Sequence, residues 1–419
     1  MRKQEHLQNH ELILSEKFHP NNLSDAPKLP GEGPARAGRK KASATPMESK
    51  ENEPLNSVYN LEEIWNKISK VSKEAPVSQD ENKVSGKPLQ DFEAFTGAKT
   101  SLSAEMPLAL KAYDKAVSLM RCIMTFAGER RVYTDGLETV VDDLIISLLR
   151  NHDALLCLPR LLQRGNYLHT HSVNVAILLG SYYLQDGHGA SEVKSAVLAG
   201  LFHDLGKALL PNALIGSRKN LTTTEVAIVK RHPALGHNLL CDAKTSLPPE
   251  VAMAALEHHE RYDGSGYPNG LSGLNISKIG RLTAIADTYD AMSSRRPYKT
   301  ALLPHHTLGV LYKSRDKHFH PDLLARFVRM IGIYPVGSIV ELQDGYCGLI
   351  TRSNPSNPLE PVVTLVMDPI GQNMPPLECS LANGEAADIA RCLSPESTSI
   401  DPYHTIISSR KLSEGPDPL

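Results

Sequence analysis

From about Ser101 onward, apolar side chains recur at three- and four-residue intervals for roughly two hundred residues, and no comparable stretch alternates residue by residue. This pattern restricts the central part of the chain to an all-helical fold. A period near 3.6 makes one side of a helix apolar, whereas a half-buried strand needs a period of two. Segments 108–126, 137–149, 173–184, 193–202 and 224–239 carry the pattern, and 248–259 and 279–292 continue it. Thr222, Thr223 and Glu225 mark a helix start after Leu221, because a hydroxyl followed three residues later by a carboxylate can satisfy the first free N–H groups reciprocally.

The flanks differ. Residues 1–100 are rich in Lys, Glu, Asn, Ser and Pro, a composition that cannot bury enough apolar surface to offset ordering entropy, so disorder is expected there. One island stands out near 60–72. Asn60 precedes Leu61, Ile64, Trp65 and Ile68, and Glu63 follows Asn60 by three, which reads as a capped short amphipathic helix. Packing on its own domain is its first reading, and docking of a protein partner through the N-terminal region is the second. Arg36, Arg39, Lys40 and Lys41 read as solvated linker, and His6 and His10 lie in the same expected tail. After Tyr334-Pro335, β-branched runs at 338–342, 347–352 and 361–367 are separated by Asp344-Gly345 and an Asn/Pro/Ser cluster at 353–358. A small antiparallel β module follows from these turn signals. The expected layout is therefore a mostly disordered region at 1–100, a helical bundle domain at 101–334, a β module at 335–395 and a flexible tail at 396–419.

Lys and Arg total 45 against 47 Asp and Glu, so the charge balance singles out neither nucleic acid nor an anionic membrane as partner. The six cysteines stand singly with no CxxC, as expected for reduced thiols in a cytoplasmic protein. No apolar run approaches the 18 or so residues that a membrane helix needs.

The chemistry concentrates in the helical part. His203-Asp204 ends an apolar helix and is followed by Leu205-Gly206-Lys207. An aspartate has two oxygens and can bridge two cations, and a lysine one turn on can meet a phosphoryl oxygen. His258-His259 opens the run His-His-Glu-Arg-Tyr-Asp-Gly-Ser-Gly-Tyr-Pro through Pro268, which joins imidazole ligands to a glycine-rich turn. His171, His232 before Pro233, and Asp287 in an otherwise apolar segment add further donors. A carboxylate among Ala and Ile is costly to bury unpaired, so Asp287 wants a cation.

In HSVNVA at 171–176, HDLGK at 203–207, HP at 232–233, HHERYDGSGYP at 258–268 and ADTYDAMSSRRPYK at 286–299, the chain resembles the HD-GYP family of bacterial cyclic di-GMP phosphodiesterases, within the HD metal-dependent phosphohydrolases. The resemblance runs from roughly Ala104 to Val336. It implies a binuclear divalent metal centre, with iron or manganese favoured. One metal would take His171, His203, Asp204 and Asp287, and the other His232, His258 and His259, with Asp204 bridging. Some relatives hold a third metal through a glutamate one turn before the first histidine, where this chain has Tyr167. Catalytic work would fall to Asp204 and Lys207, and substrate contacts to Lys207, Gly266, Tyr267, Asp290, Arg296 and Lys299. Asp290 would accept from a guanine edge, although a helix-capping aspartate looks the same in sequence. The implied activity is hydrolysis of cyclic di-GMP to pGpG, and further to GMP in some members. A non-enzymatic cyclic di-GMP receptor or scaffold and an HD hydrolase of another nucleotide remain the alternatives. A homodimer is a further expectation.

Overall fold

The computed structural model describes residues 63–68, 99–162, 167–215, 221–243, 245–294, 301–354, 357–384 and 386–408. From Leu102 onward, eleven α-helices among the described residues precede a five-stranded antiparallel sheet, and one short helix follows it. This is the helical bundle with a small β module that the periodicity predicts.

Helix α1 (Leu102–Gly128) begins at Ser101, whose hydroxyl accepts from the Ala104 N–H at 3.3 Å. It packs on α2 (Leu137–Arg150) and α3 (His152–Leu161). The centre of the domain is α4 (Tyr167–Gln185) against α5 (Ala190–Phe202). Helix α4 is buried on all sides, with Val173, Val175, Ala176, Ile177, Leu178 and Leu179 all inside, as a central helix must be. The close approach of α4 and α5 depends on Gly200. A Cβ at that position would lie 2.3 Å from the Cα of Ala176.

After α5 a short 3₁₀ turn (Leu205–Leu209) leads towards α6 (Thr223–Val229), α7 (His232–Asp242), α8 (Pro249–Glu257), α9 (Lys278–Ser293), α10 (Pro304–Lys313) and α11 (Pro321–Ile331). The helix start at Thr222 is present as a reciprocal cap. Thr222 Oγ1 accepts from the Glu225 N–H at 3.3 Å, and Glu225 Oε2 accepts from the Thr222 N–H at 2.7 Å. The single helix expected over 224–239 is two, however. The first ends at Val229 and a new one starts at His232, with Pro233 in its first turn, where a missing N–H costs nothing. The apolar period continues across the break, so periodicity alone does not reveal it.

In the sheet, β1 (Ile339–Leu342), β2 (Cys347–Arg352), β3 (Val362–Met367), β4 (Asn373–Ser380) and β5 (Ile389–Leu393) take the order β4-β3-β2-β1-β5. The first three match the expected runs. Strand β4 carries Pro375 and Pro376 and lies at an edge, where a residue without an N–H is tolerated. The helical and β parts share one apolar core. Arg160 Nη2 donates to the Val336 carbonyl at 2.5 Å, and Gly337 lies against the Cys157 side chain.

Part of the expected tail is ordered. Helix α12 (Pro402–Ser408) buries Thr405 and Ile406 and packs on α1 and β2. Ile406, with Tyr403 and Ile407 packed against an existing core, is enough to dock a two-turn helix, a signal too short to stand out in a polar stretch. At the other end, residues 63–68 are helical, with Ile64 and Ile68 buried and Trp65 packed on the core. Arg329 Nη2 donates to the Ile68 carbonyl at 3.3 Å. This segment thus packs on its own chain. Asn60, Leu61, the basic cluster at 36–41, His6, His10 and residues 409–419 lie outside the described residues. No helix among the described residues is long and apolar enough to cross a membrane.

Candidate metal centre

Four features bring distant histidines to one point. Gly200 lets α5 touch α4, which sets His203 at the end of α5 beside His171 on α4, with ring centroids 5.1 Å apart. Gly206 does the same one turn later. A Cβ there would fall 2.0 Å from the His232 carbonyl oxygen, so only glycine lets the 3₁₀ turn lie against the start of α7. His258 caps α8, with His259 next to it, and α9 presents Asp287 from the opposite side. All seven side chains are buried.

Asp204 sits between two groups and faces each with a different oxygen. Its Oδ1 lies 3.3 Å from His232 Nε2 and 3.6 Å from His258 Nε2. Its Oδ2 lies 3.5 Å from His203 Nε2 and 3.7 Å from His171 Nε2. Asp287 also spans the site, with Oδ1 3.0 Å from His171 Nε2 and Oδ2 3.8 Å from His259 Nδ1. The donor atoms fall into two sets that could each hold a metal ion: Asp204, His232, His258 and His259, and His171, His203 and Asp287. Within each set the donors lie within 4.8 Å of one another.

The protonation pattern fits cations. His203 Nδ1 lies 2.8 Å from the Gly200 carbonyl, His232 Nδ1 2.8 Å from that of Val229, and His258 Nδ1 3.0 Å from that of Ala255. A carbonyl oxygen only accepts, so each Nδ1 carries a proton, and a neutral ring held this way turns its Nε2 lone pair inward. His232 Nε2 and His258 Nε2 stand 3.2 Å apart. His203 Nε2 and Asp204 Oδ1 are buried without a hydrogen-bond partner. Bare acceptors converging in a dry site are unfavourable unless a cation joins them.

Burial pushes His203 down to about 3 and His232 down to about 4, so both rings are neutral at physiological pH. Burial also opposes charge on His171, yet hydrogen bonds to Asp287 and Asp290 outweigh it and lift this histidine to about 9. For Asp204 burial is again the largest influence, but Lys207 and the surrounding histidines overcome it and hold the carboxyl well below its usual range. Asp287 is likewise held low against its burial, chiefly by His171.

Residues 158–323 match the HD domain family. The matched stretch contains all seven donors. The chain is 37% identical over 224 residues to a cyclic di-GMP phosphodiesterase of Pseudomonas aeruginosa, covering 54% of this chain and 54% of that one. It is 39% identical over 145 residues to the cyclic di-GMP phosphodiesterase response regulator RpfG of Xanthomonas campestris, covering 35% and 38% of the two chains. A 3'3'-cGAMP-specific phosphodiesterase of Vibrio cholerae is 36% identical over 138 residues, covering 33% of this chain and 26% of its own. The HD domain is thus closely related to those of the HD-GYP phosphodiesterases, and the chain spans about half or less of the length of these relatives.

The remaining expected site residues are distributed unevenly around the HD domain's centre. Lys207 lies on the 3₁₀ turn, and its Nζ meets Asp204 Oδ2 at 2.5 Å. Gly266 and Tyr267 sit in the loop after His259, which folds back on that histidine. The Tyr267 N–H donates to the His259 carbonyl at 3.2 Å, and the two rings lie 4.8 Å apart. Lys230 Nζ stands 5.0 Å from the Tyr267 ring centroid. Asp290 is not at the mouth of the site. It is 2% exposed, and its carboxylate meets His171 Nδ1, Asn174 Nδ2 and Ser294 Oγ. Arg296 and Lys299 lie outside the described residues, as does the side chain of Tyr167.

Sequence reasoning passed over two buried glutamates that shape the loop. Glu260 accepts from the Asn269 N–H at 2.7 Å and the Leu271 N–H at 3.0 Å, and Glu257 accepts from the Ser277 N–H at 2.8 Å. Their one legible signal is position, since both lie within three residues of His258-His259. Asn174 was also passed over, although it follows His171 by three and so shares its helix face.

Proposed function

We propose that this chain is a two-metal phosphodiesterase that hydrolyses cyclic di-GMP to linear pGpG, with GMP as the product of a second cut. The observation that carries this reading is Asp204, one carboxylate with an oxygen turned to each of two histidine groups. In the proposal His171, His203, Asp204 and Asp287 hold one metal, and His232, His258 and His259 share Asp204 with the other. Iron or manganese suits a set of imidazoles and carboxylates without thiolates. One turn before His171, where some relatives place a glutamate for a third metal, this chain has Tyr167. Bound cations would supply an activated water and neutralise the phosphoryl oxygens.

The protein's own groups do the rest. Imidazoles locked by backbone carbonyls keep fixed directions and need no reorganisation as charge develops. Lys207, partly exposed beside Asp204, is placed to exchange that carboxylate for a phosphoryl oxygen. The loop with Gly266 and Tyr267 closes over the His259 side, and Arg296 and Lys299 complete the substrate contacts. The catalytic unit is the helical part, residues 101–334. A second reading, cleavage of 3'3'-cGAMP, is favoured by the similarity to the Vibrio cholerae phosphodiesterase.

The test is a product assay on protein reconstituted anaerobically with Fe²⁺ or Mn²⁺, using cyclic di-GMP and 3'3'-cGAMP side by side. The His203→Ala/Asp204→Ala double variant serves as the baseline. Release of pGpG well above that baseline supports the reading. Equal rates for the two proteins on both substrates leave a receptor or scaffold instead.

A further inference from the structure

Among the histidines of the centre, His171 is held differently. His203, His232 and His258 give their Nδ1 protons to carbonyls three residues back in their own chain segment. The His171 ring instead lies between two carboxylates of α9, with Asp287 Oδ1 3.0 Å from its Nε2 and Asp290 Oδ2 2.7 Å from its Nδ1. Asp287 and Asp290 are three residues apart and therefore share a helix face, one in front of the ring and one behind it.

Asp290 is itself held. Asn174 Nδ2 donates to its Oδ1 at 2.8 Å, and Ser294 Oγ donates to the same oxygen at 2.6 Å. The other end of the Asn174 amide is engaged too, because Tyr113 on α1 donates to its Oδ1 at 2.8 Å. The amide therefore has one usable orientation, and the carboxylate is pinned through it to α1. Tyr113, Asn174, Asp290 and His171 are all buried, so none of these bonds competes with water.

Resting on the two-metal reading above, we infer that Asp290 is a positioning residue: it orients His171 and strengthens it as a ligand, does not touch the nucleotide, and is braced by Asn174, Tyr113 and Ser294. A carboxylate behind an imidazole fixes the tautomer, aims the opposite nitrogen and makes that nitrogen a better donor to a cation. A guanine contact would need an accessible carboxylate, and this one is buried beneath three donors. Ser294 is also the C-terminal cap of α9, so the same carboxylate ties His171 to the end of that helix.

The experiment measures Mn²⁺ binding by the full chain without nucleotide, and separately KM and kcat for cyclic di-GMP at saturating Mn²⁺. The variants are Asp290→Asn and Ser294→Ala. For Asp290→Asn, one of two Mn²⁺ equivalents should weaken about 10- to 100-fold while the other stays near its native affinity. KM should remain within about twofold, and excess Mn²⁺ should recover much of the lost kcat. Ser294→Ala, which removes one brace and leaves the carboxylate, should give the same pattern at a few-fold and provides the test should Asp290→Asn fail to fold. The inference is overturned if either folded variant binds both Mn²⁺ equivalents as the native chain does, or if KM rises tenfold with metal binding unchanged. A native chain that binds two Mn²⁺ yet cleaves neither cyclic dinucleotide would sink the proposed activity alone, because the metal titration still decides the role of Asp290.

Discussion

The helical centre and the β module are built from opposite materials. Around Asp204 the interior holds seven imidazole and carboxylate donors, with Asp290, Glu257 and Glu260 buried behind them. The sheet has Leu349, Ile350, Val340 and Val363 inside, with the Thr364 hydroxyl buried among them, and burial pushes the Cys347 and Cys392 thiols up, away from ionisation. Apolar packing stabilises a fold directly, whereas buried charge stabilises little unless something binds it. The centre therefore reads as a place where stability is given up for chemistry, and the sheet as a place where nothing competes with packing.

The sharpest way to break this contrast is Asp204→Asn, which keeps the shape and removes the shared charge. Hydrolysis should fall by about a thousandfold or more. The metal-free variant should melt a few degrees below the metal-free native chain, since the ion pair with Lys207 that helps hold the Asp204 carboxyl low is lost while the desolvation of one charge is relieved. A large loss of metal-free stability would show that Asp204 is structural first. Leu349→Ala should behave inversely. We expect a cost of about 2–5 kcal/mol in denaturant unfolding, with kcat of the folded fraction unchanged. A kcat that fell with stability intact would mean that the sheet takes part in catalysis.

Acid should separate the two regions next. His305 and His318 belong to the helical part and are not among the seven donors. Burial pushes His305 down to about 3 and His318 down to about 4 from an ordinary value of 6.5. In that window the unfolded chain binds protons that the folded chain refuses, so stability falls as pH drops from 6.5 toward 4. Each group contributes up to about 1.4 kcal/mol per pH unit. Urea midpoints that stay level between pH 7 and pH 5 would contradict this, and His305→Gln should flatten the slope. The smallest effect belongs to Leu377, half-exposed on the edge strand β4. Leu377→Thr should shift stability by no more than about 0.5 kcal/mol.

Much of the architecture was legible because its signals are local. Period 3.6 marked the central helices, Thr222 and Glu225 marked a helix start, and Asp344-Gly345 marked the turn between β1 and β2. The strands β4 and β5 and the helix α12 were not legible. Two prolines obscure the first, the second is short, and the third depends on a core built elsewhere. The break at Lys230–Arg231 was not legible because apolar residues recur at helical spacing on both sides of it.

The sequence by itself determined which side chains this protein can bring to a metal, since imidazole and carboxylate chemistry is written residue by residue, and which glycines stand beside them. Only the tertiary structure decided how those groups divide the work. His171 and Asp290 are 119 positions apart, and nothing in the spacing says that one stands behind the other. Nor does it say which oxygen of Asp204 faces which histidine. Those choices follow from α4, α5 and α9 meeting at close range, a packing outcome that spans the whole domain.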